Sequence, residues 1–286
     1  MNKILICGST SFVANGFVTL LQKESYEWDT FSRGVKPSRK GNMVRGKYLE
    51  IHTNPKLLSE YDIVVNFAVL KDESIEDNVK YLQSLVKMCK EHKVKKLIHF
   101  SSIMVYSRKN KVVNEQTPID SSETTIMRGY GQIKIVTDEY LTSVMNNVPF
   151  EIIRVRPGFV LAPGMACPFI KKIGPVSIIL GNKNSTLPIV RREDIHKALV
   201  CIINIEKNLP VYLFYPNDGM TKYRFAKKIV GGIVFTIPKW LFCDIPYLMA
   251  KIHLIPWAFY SRFEGMFTSI KYSSEQTENI LKIKFE

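Results

Sequence analysis

The chain holds only five cysteines, Cys7, Cys89, Cys167, Cys201 and Cys243, odd in number and without C-x-x-C spacing. That excludes a disulfide framework, offers no metal-ligand pattern and fits a reduced cytoplasmic compartment, with the thiols read as small buried apolar groups and no metal expected. A span of about 20 uninterrupted apolar residues is also missing. The most apolar stretch, residues 229–260, is broken by Lys239, Asp244 and Lys251 and by Pro238, Pro246 and Pro256. It reads first as the core of a C-terminal lobe and second as a face for a membrane surface. After Lys3 the apolar run is four residues, so a secretory leader is not expected. Internal repeats and low-complexity segments are absent.

Acidic residues are in short supply, 26 against 40 Lys and Arg, for a net charge of +14. The basic residues are spread out, with modest clusters at Arg33–Lys47 and Lys87–Lys96. They are not interleaved with aromatics in an RNA-recognition or helix-turn-helix pattern, so nucleic acid is not the expected partner. Solvated surface is the first reading, steering of an anionic small molecule the second, and a membrane surface or non-specific nucleic-acid binding the last.

What is present is alternation. Strand-like runs at 4–7, 27–31, 62–68, 95–102, 150–157 and 211–215 are separated by helical patterns. In the helix expected over 75–92, Ile75, Val79, Leu82, Leu85 and Val86 recur at helical spacing. This predicts an α/β protein with a parallel, Rossmann-like doubly wound sheet and a smaller C-terminal substrate-binding lobe. The expected division is 1–165 plus 192–215 for the dinucleotide-binding domain and 166–191 plus 216–286 for the lobe.

Glycine is scarce where such a sheet binds phosphate. In "GSTSFVANG" the first strand stops at Gly8, but Ser11 and Ala14 stand where second and third glycines would be. Ser11 is small and can donate to phosphate, Ala14 is an accepted substitute, and Phe12-Val13 would open the helix facing the anion. The other reading is a plain strand–helix turn bent at Gly8. Eighteen residues past Ala14, Ser32-Arg33 occupies the place of the acid that usually accepts from a free ribose. A guanidinium there suits a 2′-phosphate, favouring NADPH, with NAD as the alternative; otherwise Arg33 is a surface turn residue.

At "YGQIK", Tyr130 and Lys134 lie one helical turn apart, so the ammonium can favour the phenolate and let the tyrosine exchange a proton with a carbonyl or alcohol oxygen. Ser102 follows the strand ending "HFSS", 28 residues before Tyr130, at the sheet edge where ligands bind.

Serine, tyrosine and lysine in this order after a strand–turn–helix opening resemble the extended short-chain dehydrogenases/reductases, the group of nucleotide-sugar epimerases, dehydratases and reductases. "CGSTSFVANG" stands for the family's TGGTGFIG-like loop, "VVNFAVLKD" for VVHLAA, "DNVKYLQSLVKMCKEHKVKKLIHFSSIMVYS" for its helix and SSxxVYG strand, and "IIRVRPGFVLAPG" for RPxNVYGPG. The resemblance implies catalytic Ser102, Tyr130 and Lys134. It implies a cofactor held by Gly8, Thr10, Ser11, Phe12, Val13, Ser32, Arg33, Phe67, Ala68, Lys134 and Pro157. It also implies that Asn78 supports the lysine through a water, and a homodimer formed through the helices of Asn78 and Tyr130. Asp194 is read as a helix N-terminal acid.

Ile103-Met104 after Ser102 replaces the acid pair of the dehydratases. The C-terminal third is similar to that of quinovosamine-type 4-reductases of O-antigen and capsule synthesis, although Ser273 replaces their aspartate. The resemblance therefore implies an NADPH-dependent reductase of a nucleotide-diphosphate 4-keto-6-deoxy sugar. Arg262, and with it Arg192, Lys171 and Lys172, would be candidate contacts for substrate phosphates. The alternatives are an NAD-dependent 4-epimerase of a UDP-sugar or lipid-linked sugar, and a dinucleotide-binding protein without turnover.

Overall fold

In the computed structural model, which describes residues 2–53, 61–120, 129–256, 260, 267 and 269–286, each expected strand becomes part of one sheet. The central runs, β1, β5 and β6, are buried along nearly their whole length rather than on alternate residues, as strands covered on both faces require. They form β1 (Lys3–Cys7), β2 (Glu27–Arg33), β5 (Ile63–Asn66), β6 (Lys96–Phe100), β8 (Glu151–Pro157) and β13 (Val211–Phe214). A short hairpin, β3 (Ser38–Lys40) and β4 (Met43–Gly46), completes an eight-stranded sheet in the order β13-β8-β6-β5-β1-β2-β4-β3. The hairpin lies in the basic cluster, where short polar strands leave no periodic apolar signal. The pairs β2/β1, β1/β5, β5/β6 and β6/β8 are all parallel. Strand order reverses at β1, and the carboxyl ends of β1 and β5 flank the crevice where ligands of such sheets bind.

The covering helices are α1 (Phe17–Lys23), α2 (Ile75–Glu91), α3 (Tyr130–Val144) and α4 (Arg192–Asn204). Helix α2 is capped by Ser74, whose hydroxyl accepts from the Asp77 N–H, with Glu76 and Asp77 in its first turn. It buries Tyr81, Leu82, Leu85, Val86, Met88 and Cys89 against the sheet and packs alongside α3. In α4, Asp194 sits in the first turn, as expected of a helix N-terminal acid, and its carboxylate accepts from the Glu286 N–H.

The chain divides into two compact units: Met1–Val105, Gly129–Pro157 and Ile195–Tyr212 in the first, Tyr106–Arg128, Gly158–Asp194 and Leu213–Glu286 in the second. Residues 106–120 and 158–165 cluster with the second unit because their strands pair there. β7 (Val112–Val113) pairs with β15 (Lys271–Tyr272), and β9 (Phe159–Leu161) with β12 (Ile189–Arg191). The second unit also holds a sheet of β10 (Ile170–Ile173), β11 (Val176–Ile179) and β14 (Ile233–Thr236), with helices α5 (Lys222–Phe225), α6 (Ile245–Lys251) and α7 (Glu275–Leu281). Gly232 (φ 89°) allows β14 to join: a Cβ there would lie 2.2 Å from the Pro175 carbonyl oxygen, which accepts the Ile233 N–H at 2.8 Å.

Candidate active site

Gly8 ends β1 at φ 76°, and a Cβ on it would stand 2.7 Å from the Ala68 nitrogen. Only glycine lets the turn after β1 lie against the turn after β5. The helix does not begin at Phe12-Val13. Residues 9–16 use their backbone bonds in tight turns instead: Ser11 N–H to Gly8 O, Asn15 N–H to Ser11 O and Phe17 N–H to Ala14 O. Helix α1 therefore opens at Phe17, leaving Thr10, Ser11, Phe12 and Val13 in a loop rather than on a helix. The Ser11 hydroxyl accepts from the Ala14 N–H at 3.3 Å, which keeps its own proton free to donate. A dinucleotide phosphate fits this donor set of glycine turn, Thr10 and Ser11, with less help from a helix terminus than three glycines usually bring.

Beyond Gly8, Ala68 borders the turn, while the Phe67 ring is buried, stacked on Phe100 with centroids 4.4 Å apart and edge-on to Phe17. Asn66 fixes this segment: its amide oxygen accepts from the Ala68 N–H and the Tyr81 hydroxyl, and its amide nitrogen meets His99 Nδ1 at 3.0 Å. Burial holds His99 neutral, down to about 3, and its Nε2 has no partner among the described residues. At the end of β2, Ser32 is partly buried and Arg33 is exposed, 3.9 Å from Glu73. Arg39, further along the basic cluster, is committed to the buried Asp29 at 2.8 Å.

Tyr130 is the first residue of α3 and keeps 43% of its surface exposed; Lys134, one turn on, is buried. The Lys134 ammonium stands 5.6 Å from the Tyr130 ring centroid and donates to the Phe100 carbonyl. One turn further, Asp138 accepts the Ser101 hydroxyl and both arms of Arg156, at 2.9 and 2.7 Å. Successive turns of α3 thus grip successive residues at the end of β6, and Ser102 is the next residue. Its hydroxyl oxygen accepts from the Met104 N–H at 3.2 Å, opening a helical turn over Ile103–Val105; the hydroxyl proton remains available to an incoming oxygen. Pro157 is buried at the end of β8, neighbour to β6.

Burial raises the Tyr130 phenol, so it keeps its proton. Burial lowers Lys134 to about 7, with Asp138 opposing that fall and Lys71 adding to it. Asn78 is buried in α2. Its amide is taken up by the Leu70 N–H and by the Leu70 and Ser74 carbonyls, each at 2.9 Å, which ties down the loop after β5. Among the substrate candidates, Arg192 opens α4 in the second unit, partly buried, with its Nε 3.9 Å from Glu193. Lys171 and Lys172 are exposed on β10, the latter donating to the Val230 carbonyl. Arg262 lies outside the described residues.

Four groups here escape a motif search. Lys71 arrives by a loop, its ammonium also 5.6 Å from the Tyr130 ring centroid. Asp138, Arg156 and Arg154 are buried charges, the last with a guanidinium nitrogen 3.6 Å from Asp138. A signal for these existed: two arginines inside the apolar strand "IIRVRP" demand a buried acid.

The sequence model of the NAD dependent epimerase/dehydratase family matches residues 4–211, from β1 to the start of β13. The chain belongs to that family. It matches no curated protein sequence, but solved structures share its fold along nearly its whole length. A short-chain dehydrogenase/reductase superfamily protein from Agrobacterium tumefaciens, solved with NAD, superposes with a TM-score of 0.72 at 14% identity, covering 99% of this chain and 92% of the other. The UDP-glucuronic acid 4-epimerase from Bacillus cereus, solved with UDP-glucuronic acid and NAD, gives 0.66 at 17% identity and covers 99% and 93%. A human epimerase family protein solved with NADPH gives 0.69 at 15%, covering 99% and 95%. This family member is thus an enzyme of NAD(P)-dependent oxidoreductase type, with a nicotinamide dinucleotide as cofactor.

Proposed function

We propose that the protein reduces a nucleotide-activated 4-keto sugar with NADPH, the first unit holding the dinucleotide and the second the nucleotide sugar. Arg33 carries this reading. It closes β2 where a ribose-binding acid would stand, and its exposed pairing with Glu73 at 3.9 Å is too weak to hold it away from a 2′-phosphate.

Hydride would come from a nicotinamide bound in the first unit. Tyr130, held protonated by its partial burial, delivers the proton to the sugar oxygen. Ser102 donates a hydrogen bond to the same oxygen and polarises the carbonyl. Lys134, when charged, stabilises the phenolate left behind, and in this reading it also holds the nicotinamide ribose. Ile103, buried, and Met104 provide no acid or base for elimination. In the same reading α2 and α3 form the face of a homodimer, which sedimentation would reveal as a species of twice the 32.9 kDa chain mass.

A second reading, an NAD-dependent 4-epimerase of a UDP-sugar, draws on Glu73, whose carboxylate beside Arg33 can accept from a free ribose hydroxyl. Paired titration of the purified protein with NADPH and NADH, followed by nicotinamide fluorescence, decides between them. A preference for NADPH of tenfold or more, about 1.4 kcal/mol, is the expected result. A preference for NADH, or protein that purifies with NAD already bound, overturns the reductase and leaves the epimerase.

A further inference from the structure

The region that reads first as a buried C-terminal core is largely exposed, and its apolar side chains fall in two ordered sets. In the β10-β11-β14 sheet, register places Ile173, Val176 and Ile233 in one cross-strand row and Lys171, Ile178 and Phe235 in the other. Paired residues share a face, so these two rows form one surface. The opposite face carries Ile170, Ile179 and Val234, which pack with Cys167, Leu187 and Ala226. The first surface is therefore the outer one, and Ile173, Ile233 and Phe235 are 54%, 61% and 56% exposed on it.

The second set lies on the helical segment from Trp240 through α6. Leu241, Ile245, Leu248 and Ile252 recur at helical spacing and are all exposed, with Trp240 beside them, while Cys243 and Ala250 face inward. A helix that turns its apolar stripe outward is amphipathic in the inverted sense.

The charges near the two sets are predominantly positive. Lys171 on the outer row of the sheet and Lys239 and Lys251 flanking the helical stripe are exposed, and from Lys222 to Pro256 the one acid is Asp244. Apolar side chains among lysines match the interface of an anionic bilayer, where the lysines meet lipid phosphates and the apolar groups enter the acyl boundary. A second copy of the same face would instead set lysine against lysine. No helix among the described residues is long and apolar enough to cross a membrane, so the contact is one of lying on the surface.

We propose that the outer face of β10-β11-β14 and the Trp240–Ile252 stripe form a docking surface for an anionic phospholipid bilayer. The test is co-sedimentation of the full chain with vesicles of phosphatidylcholine alone and with vesicles carrying about one-third phosphatidylglycerol. The anionic vesicles should bring the protein down, pure phosphatidylcholine should not, and about 0.5 M salt should weaken the contact. Trp240 emission should shift to the blue on binding. Ile233→Ser with Phe235→Ser, and separately Leu248→Ser with Ile252→Ser, should each weaken binding at least tenfold while melting temperature and dinucleotide affinity stay unchanged. The proposal is overturned if anionic vesicles leave the protein in solution or if both double variants sediment like the unmodified chain. It is equally overturned if the same substitutions abolish a concentration-dependent self-association, since the face would then belong to a second copy.

Discussion

The Lys71 ammonium stands as close to the Tyr130 ring as Lys134 does, 5.6 Å from the centroid. The two cations repel, and Lys71 thereby helps lower Lys134 toward neutrality. Lys71→Met should let Lys134 hold its charge to higher pH. The alkaline limb of dinucleotide binding or turnover should move up by about half a pH unit or more. An unchanged pH profile would show that Lys71 does not influence Lys134.

Lys134 itself is a site where function opposes stability. Its folded pKa of about 7 lies below the unfolded value of about 10.4. Between those values the unfolded chain binds more protons, so this group's contribution to stability rises with pH across that window and its cost is greatest at pH 7 and below. Lys134→Met should therefore stabilise the dinucleotide-free protein by about 2–4 kcal/mol near pH 6.5, shrinking toward pH 10, while removing activity. Melting curves at the two pH values test it; a gain of equal size at both would trace the effect to packing instead.

Asp138 is nearly surrounded by donors, and Arg156 with Arg154 keeps its carboxyl below the usual carboxylate range. A depressed carboxylate stabilises the fold at pH values above its unfolded pKa of about 3.9, and that contribution is lost as pH falls through the folded value. Asp138→Asn should cost about 3–5 kcal/mol at pH 7, because it leaves two buried guanidinium groups short of a counter-charge. Urea denaturation would measure the loss. Asp138→Leu combined with Arg156→Met should recover much of it, and failure to recover would point to a role for Ser101 and Arg154 beyond charge balance.

Gly8→Ala would require an L residue at φ 76° and place a Cβ 2.7 Å from the Ala68 nitrogen. Backbone strain alone costs about 1–2 kcal/mol, and the overlap adds to it. Dinucleotide affinity should fall well over tenfold, with a lower melting temperature. Binding as tight as that of the unmodified chain would show that the β1 and β5 turns can separate freely.

The parts legible in the sequence are those governed by period and spacing. Short, largely apolar runs mark β1, β5, β6 and, despite its two arginines, β8 as strands, and four-residue spacing puts Lys134 beside Tyr130. Short-range turn competition was not legible: nothing in "STSFVANG" shows that Ser11 and Ala14 carbonyls will take the Asn15 and Phe17 N–H groups and delay α1. Neither was the commitment of the Asn78 amide to Leu70 and Ser74, nor the approach of Lys71, since both depend on a loop path. The apolar stretch after residue 229 misled for a different reason. Hydrophobic side chains usually face inward, and there the sheet register and helix phase turn many of them outward.

Gly232 gives that exposed surface a peculiar genetic footing. Because any side chain there meets the Pro175 carbonyl, the union of β14 with β11 depends on a single codon, in a three-stranded sheet distinct from the eight-stranded one. A single substitution at Gly232 would thus displace Ile233 and Phe235 together from their register with β11. The residues gathered around Gly8 and α3 need not change with them, so the outer face and the proton-transfer machinery can evolve on separate clocks.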